Sequence, residues 1–401
     1  MTLLRNVTMT PAAGPGIDAF ARLRVSQPTL LLDTKQVGGA PDLFCSNGVS
    51  GSGSATYSIN RSSTALTVGS AVGVAARQSK SRAIYQAGKS LLVFQTFVMA
   101  AGQTNLRQRV GLFSTKNGIF LQRDGTTLSI VRRTFLSGSA VDTVVAQASW
   151  NVDPMDGSGP SGITIDTTKA QILMLDLEWL GVGQVRCYFV VDGVPVWFHS
   201  FKNANNLTSV YMTNPNLPLR WEVEATGTIT GTATLEAICG SVNSEGGYEI
   251  NGVTSSVDMG STVNQIAGGA FEEILAVRMQ SAFTEFATAF VQAVSVIAAT
   301  SSNFLWRLVL NPTETGAGTW ANVPNSILER NITRVVTVDT GHRILSGYVA
   351  SAINTIDTNE RPILTLGTTL AGVTDVLSLQ VMNLGTGNEE YLGSLILREV
   401  Y

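Results

Sequence analysis

Asp176 and Glu178 are the residues whose type and spacing come nearest to a catalytic pair. They sit in Met174-Leu-Asp176-Leu-Glu178-Trp-Leu-Gly181. If this stretch is a strand, period-two alternation puts both carboxylates on one face, about 6.7 Å apart along the chain. Two carboxyl groups aimed into a cleft suit acid/base work on a sugar, or acceptance of hydrogen bonds from its hydroxyls. The plainer reading is two acids on the solvated face of an amphipathic strand. Other chemistry has little to draw on. The two histidines, His199 and His342, lie 143 residues apart, and no HExxH occurs. The three cysteines, Cys45, Cys187 and Cys239, are odd in number and widely spaced. They make neither a disulfide framework nor a metal knuckle and read as small buried thiols. Asp153, Asp156 and Asp166 lack the dense alternating spacing of a calcium loop and read as solvated turn residues. The expectation is no metal, no cofactor and no catalysis. The glycines form no phosphate-binding motif and punctuate turns. Arg107/Arg109 and Arg132-Arg133 suggest a basic strip, but adjacent strand residues face opposite ways, so Arg132 and Arg133 do not reinforce each other.

The elements that must position these residues read as β. From Gln171 onward Leu173, Leu175, Leu177 and Trp179 alternate with Ile172, Met174, Asp176 and Glu178. After Gly181-Val-Gly183, Val185, Cys187, Phe189 and Val191 alternate with Arg186, Tyr188, Val190 and Asp192. Asp192-Gly193 turns the chain into Val194-Pro195, whose proline marks a sheet edge or a strand start. Tyr188 would share the Asp176 face if the hairpin register allows it, and could offer a ring for a sugar to stack on. Asn117-Gly118 and Asp124-Gly125 divide residues 111–131 into a three-stranded meander. Strands are also expected over Phe304–Leu310, Arg343–Ala350, Ile363–Leu366, Val376–Met382 and Leu392–Val400. Across 283–299, Phe283, Phe286, Phe290, Val294 and Ile297 have helical spacing, while β-branched and aromatic content favours strands; strands are preferred.

Met174-Leu-Asp176-Leu-Glu178 resembles the Glu-x-Asp-x-Glu strand of family 16 glycoside hydrolases, which fold as concanavalin-like jelly rolls. In that family the first Glu is the nucleophile and the last the acid/base. Here Met174 occupies the nucleophile position, and a thioether cannot form a glycosyl ester. The resemblance, over eight residues, therefore implies the fold and a degenerate, saccharide-binding version of the site at Asp176 and Glu178; Tyr188 is added to them from the hairpin pairing alone.

The chain is 401 residues long, and charged residues make up 14% of it against about 25% in an average soluble protein. Ser, Thr, Asn, Gln and Gly carry the polarity, which excludes a coiled-coil rod and a charge-rich disordered chain. A net charge of −3 gives no electrostatic reason to expect nucleic acid. Residues 1–250 carry 19 basic and 16 acidic side chains, residues 251–401 carry 7 and 13, and no lysine follows Lys202. This supports a domain boundary near 250. Met1-Thr-Leu-Leu-Arg5 runs into Asn, Thr and Pro without a signal peptide, and the uncharged run 286–306 is too polar to span a bilayer. A soluble chain made in the cytoplasm and free of membrane is expected.

The full expectation is an all-β protein: an extended docking arm over 1–24, a jelly-roll-like antiparallel β-sandwich over 25–245, and a second β-sandwich over 255–401. The arm carries Phe20, Arg22, Leu23 and Arg24 but too little chain for its own core.

Several stretches resemble a family of tailed-bacteriophage virion structural proteins. They include Ala19-Phe-Ala-Arg-Leu-Arg-Val-Ser26, Asp33-Thr-Lys-Gln36, Ser149-Trp-Asn-Val-Asp153, Glu178-Trp-Leu-Gly-Val-Gly-Gln-Val-Arg186 and Asn206-Leu-Thr-Ser-Val-Tyr-Met212, within residues 17–230. The resemblance implies a non-enzymatic, repeated part of a virion assembled in a host cytoplasm without placing it in the particle; a tail, baseplate or fibre component is preferred. Head decoration, the neck, or a receptor-binding module for host surface polysaccharide are the alternatives. Other virion proteins and further copies of the chain, in a homo-oligomer preferred as a trimer, are the implied partners.

Overall fold

In the computed structural model, residues 27–39, 43–249, 251–261, 264–298, 303–350, 354–357 and 365–401 are described. The arm residues Phe20, Arg22, Leu23 and Arg24 lie outside them. What is described is almost entirely antiparallel strand with two single-turn 3-10 helices.

The first unit is one curled sheet. Its strands are β1 (Thr29–Asp33), β2 (Cys45–Ser58), β3 (Ser63–Ser79), β4 (Ser90–Val98), β5 (Leu106–Phe113), β6 (Gly118–Asp124), β7 (Thr127–Thr134), β8 (Val141–Ala146), β9 (Gln171–Leu177), β10 (Val185–Val191), β11 (Val194–Phe201), β12 (Leu219–Ala225) and β13 (Ala233–Glu245). The order β11-β10-β9-β4-β13-β3-β12-β5-β6-β7-β8 folds back on itself around one apolar core, with β1 on β13 and β2 on β3. The long strands β3 and β13 allow this, because each pairs with different neighbours along its length. Alternation sets which side chains enter the core. Leu173, Leu175 and Leu177 of β9 are buried there, as are Val185, Cys187 and Phe189 of β10 and Trp221 and Val223 of β12. The β10–β11 turn is a two-residue loop with Asp192 at φ 52° and Gly193 at φ 79°, the primed geometry that matches strand twist. Strand β11, with Pro195, is the sheet edge.

The second unit is a two-sheet sandwich. Its strands are β14 (Val253–Asp258), β15 (Asn264–Ile266), β16 (Phe271–Met279), β17 (Thr288–Ala298), β18 (Asn303–Leu310), β19 (Glu314–Gly316), β20 (Ala321–Asn322), β21 (Leu328–Asn331), β22 (Val335–Val336), β23 (His342–Ala350), β24 (Asn354–Asp357), β25 (Thr365–Leu366), β26 (Val376–Asn383) and β27 (Glu389–Val400). One sheet runs β14-β27-β17-β24, the other β20-β21-β16-β26-β18-β23, and their facing sides form a second core. Leu395 and Leu397 near the C-terminus lie in that core, so their own unit covers them. The ambiguous 283–299 segment is a 3-10 turn at Ser281–Phe283 followed by β17.

The two units meet through polar groups and a small apolar plug. Asn214 and Asn216 donate to the Glu285 and Phe286 carbonyls, the Ser81 and Thr365 hydroxyls bond each other, and Lys116 pairs with Glu285. Ile84 packs with Phe290 of β17 and Val400 of β27.

Candidate functional site

The outer face of the β9-β10-β11 edge carries the residues that the sequence singled out. The register sets Asp176 opposite Arg186, Met174 opposite Tyr188, and Tyr188 opposite Trp197. Asp176 and Tyr188 therefore share the solvent side of the sheet, one row apart. Their states differ from a simple open site. Asp176 is 7% exposed and is held by the Arg186 guanidinium. Burial raises its pKa above the ordinary value, against the pull of Arg186. Its Oδ2 already accepts from Arg186, and burial keeps the group from solvent, so it orients Arg186 rather than serving as an open acceptor.

Tyr188 and Trp197 form a near-parallel pair, ring centroids 6.1 Å apart at 28°. Trp197 is 37% exposed, and its indole N–H donates to the His199 carbonyl at 2.9 Å, which fixes the ring. The sequence reading did not pick out Trp197. The signal was available: the two-residue Asp192-Gly193 turn pairs Val191 with Val194, and counting back sets Tyr188 opposite Trp197.

Glu178 departs from the expectation of a strand continuing to Leu180. Strand β9 ends at Leu177, and Glu178 begins a turn through Leu180 and Gly181, with φ of 34° and 77°. The Glu178 N–H donates to the Gln184 carbonyl at 3.0 Å, its carbonyl accepts from the Tyr211 hydroxyl at 3.0 Å, and the Gly183 N–H donates to the Trp179 carbonyl at 2.7 Å. The exposed carboxylate then lines a depression of about 420 Å³ with Leu180, Gln184, Lys202 and Asn203. Gln184 and Asn203 are engaged in architecture, donating to the Ser200 hydroxyl and the Gly183 carbonyl. Among the described residues neither the Glu178 carboxylate nor the Lys202 ammonium has a side-chain partner. From the Gln184 end of the depression to Tyr188 is four residues of strand, about 13 Å. The edge thus offers one free acceptor, one free donor and an aromatic platform within about four strand residues of one another.

A second carboxylate pair lies elsewhere. Glu222 and Glu224 alternate on the outer face of β12, opposite Arg109 and Arg107 of β5. Glu222 accepts from Arg109 Nη1 at 2.7 Å and Arg220 Nε at 3.0 Å. Burial works to raise its pKa, but Arg220 and Arg109 hold it below the usual carboxylate value. A carboxylate kept ionised in this way has no proton to donate to a leaving group at neutral pH. Arg109 is buried among these partners, so the pair Arg107/Arg109 is no open basic strip. Arg132 and Arg133 do face apart: one donates to Asn203, the other to Asp142.

Asp153 also departs from expectation. It is 2% exposed and closes its loop by accepting the Met155 and Ser161 N–H groups at 2.7 and 2.8 Å. Asp156 and Asp166 are the exposed turn acids foreseen, each capping the residue two positions on. Cys45 and Cys187 are buried, and Cys239 is half-buried. Among the described residues no group of three or more His, Cys, Asp or Glu side chains is placed to hold a metal ion. No helix among them is long and apolar enough to cross a membrane.

No protein-family profile matches the sequence, and no curated protein matches it. Solved structures with similar chain paths include arcelin-5, a lectin-like defence protein from Phaseolus vulgaris. It is 11% identical with a TM-score of 0.34, over 54% of this chain and 98% of its own. The β-glucanase of Bacillus licheniformis is 8% identical with a TM-score of 0.33, over 57% of this chain and 100% of its own. Peanut lectin is 9% identical with a TM-score of 0.31, over 55% and 98%.

Proposed function

We propose that this protein is a non-enzymatic saccharide-binding module whose ligand lies along the outer face of β9, β10 and β11. One observation carries the reading: the near-parallel pair of half-buried Tyr188 and exposed Trp197 lies on the same β9-β10-β11 edge as the free Glu178 and Lys202 side chains. Apolar C–H faces of a pyranose stack on aromatic rings, and its hydroxyls pair with a carboxylate acceptor and an ammonium donor. A face about 13 Å long suits an oligosaccharide better than a single sugar. The clamped Glu222 supports binding without cleavage. Placement on a bacteriophage particle, in a homo-oligomer with other virion proteins, rests on the resemblance of residues 17–230 to virion structural proteins. There the ligand would be host surface polysaccharide.

The test is a screen against bacterial surface polysaccharides with a parallel assay for new reducing ends. The expected result is binding without cleavage, weakened tenfold or more in the Tyr188→Ala/Trp197→Ala double variant. Both side chains sit on the outer face, so the fold should persist. New reducing ends, or unchanged affinity in the double variant, would overturn the proposal.

A further inference from the structure

Arg107, Arg109, Arg133 and Arg220 converge with Glu222, Glu224 and Asp142 around a depression of about 510 Å³ on the outer face of β12, β5 and β7. This place lies on different strands from the Tyr188 face. Its floor is built from the sequence pattern: Gly111 of β5 faces Phe120 of β6, and a Cβ there would lie 2.5 Å from the Phe120 Cβ. Glycine lets Phe120 pack on Phe113 with centroids 4.6 Å apart. Three guanidinium groups then lie over these rings. Arg133 and Arg109 are 5.0 and 5.8 Å from the Phe120 centroid, and Arg220 is 5.4 Å from that of Phe113. Flat cations on fixed rings are held in place before any ligand arrives.

The internal bonds do not exhaust the donors. Arg107 uses Nε and Nη2 on Glu224, at 3.1 and 2.6 Å. Arg109 uses Nε on Gln122 and Nη1 on Glu222. Arg107 Nη1 and Arg109 Nη2 have no acceptor among the described residues. These two arginines are two positions apart on one strand, with Cα atoms about 6.7 Å apart, and both line the same depression. Four cations against three carboxylates leave a surplus of one positive charge. A monoanion balances that surplus; a phosphate dianion would overshoot it beside Glu222 and Glu224.

We infer that this depression is a second binding site, selective for a single carboxylate on a hydroxyl-rich body, the chemistry of a uronic acid unit in a polysaccharide. The planar carboxylate takes hydrogen bonds from the free ends of Arg107 and Arg109, and the ligand hydroxyls meet Thr115 and Glu224. The Glu224 carboxylate repels the ligand carboxylate held beside it, so Arg107 and Glu224 have opposite effects on affinity.

Isothermal titration of the full chain with oligogalacturonate tests this, with neutral oligogalactose and inorganic phosphate as comparators. Oligogalacturonate is expected to bind, more weakly at high salt, with neither comparator matching it. Arg107→Gln should weaken binding tenfold or more, and Glu224→Gln should tighten it several-fold by removing a like charge beside the ligand carboxylate. A purely structural Arg107–Glu224 pair would show no such opposition. The Tyr188→Ala/Trp197→Ala variant should bind oligogalacturonate as the parent does, which separates this site from the other face. Absence of binding, equal binding of neutral oligomer, tighter binding of phosphate, weaker binding in Glu224→Gln, or loss of binding in the Tyr188/Trp197 variant would each overturn the inference.

Discussion

His199 makes the fold sensitive to mild acid. The ring is 4% exposed and stands edge-on to Phe201, with centroids 4.7 Å apart. Its Nδ1 accepts the Asn151 N–H at 3.3 Å, so the neutral ring is the form that fits. Burial lowers its pKa from 6.5 to about 4. As pH falls, the unfolded chain therefore takes up the proton first. The stability given by the neutral ring is complete above about pH 6.5 and is lost as pH falls towards 4. At about 1.4 kcal/mol per pH unit the whole gap is worth about 3 kcal/mol, most of it already lost by pH 4.5. Against a typical stability of about 5–15 kcal/mol that is a large share.

The assay is urea unfolding followed by tryptophan fluorescence from pH 7.5 to 4.5, with His199→Gln as the reference, since glutamine keeps an acceptor for Asn151 without a titrating ring. The comparison matters because other groups act in neighbouring windows. Asp176 and Glu273, whose pKa values burial raises, gain stability as pH falls through their folded values, the opposite sign. Asp153, Asp156 and Asp166, held low, lose stability only as pH falls below about 3.8. The wild type should lose about 2–3 kcal/mol more than His199→Gln between pH 7 and 4.5. Equal losses in the two proteins would refute the reasoning.

Two further outcomes are expected. Glu222→Gln should cost about 3–5 kcal/mol, read as a lower thermal midpoint, because it leaves the buried Arg109 and Arg220 without their shared carboxylate. Ile84→Ala should cost about 2 kcal/mol and split one calorimetric transition into two, because Ile84, Phe290 and Val400 are the apolar plug between the units.

Local pattern was legible in the sequence, and long-range partnership was not. Leu173 to Leu177 and Val185 to Phe189 declared their buried faces by alternation, and Asp192-Gly193 declared its turn. The segment after Phe283 is the strand that was preferred, β17, and its helical spacing of apolar residues has a physical cause. A β-bulge between Val291 and Ala293 shifts the phase of β17, and Phe283 packs edge-on to Phe286 within a tight turn, so a strand and its approach mimic helical spacing. The burial of Arg109 could not be read from the sequence because Glu222, the partner that lets it be buried, lies 113 residues further along the chain. At the candidate site, the face shared by Asp176 and Tyr188 followed from hairpin register. The Arg186 clamp on Asp176 and the early end of β9 depended on contacts that alternation does not report.

The two outer faces of the curled sheet handle their aromatic residues in opposite ways, and this connects composition to function. A chain with only 14% charged residues still spends four arginines and three acids on one depression. Ion pairs at low exposure are costly to desolvate and add little net stability. Their physical use here is as a cover: the guanidinium planes hide Phe113 and Phe120, both about 1% exposed or less, beneath groups that water can still solvate at their edges. An uncovered pair of rings in mid-sheet would be an apolar patch open to self-association. Tyr188 and Trp197 carry no such cover and keep polar tips instead, a phenol and an indole N–H already fixed to the His199 carbonyl. The uncovered rings therefore suit a neutral ligand that stacks, and the covered rings suit an anion that pairs with the cover.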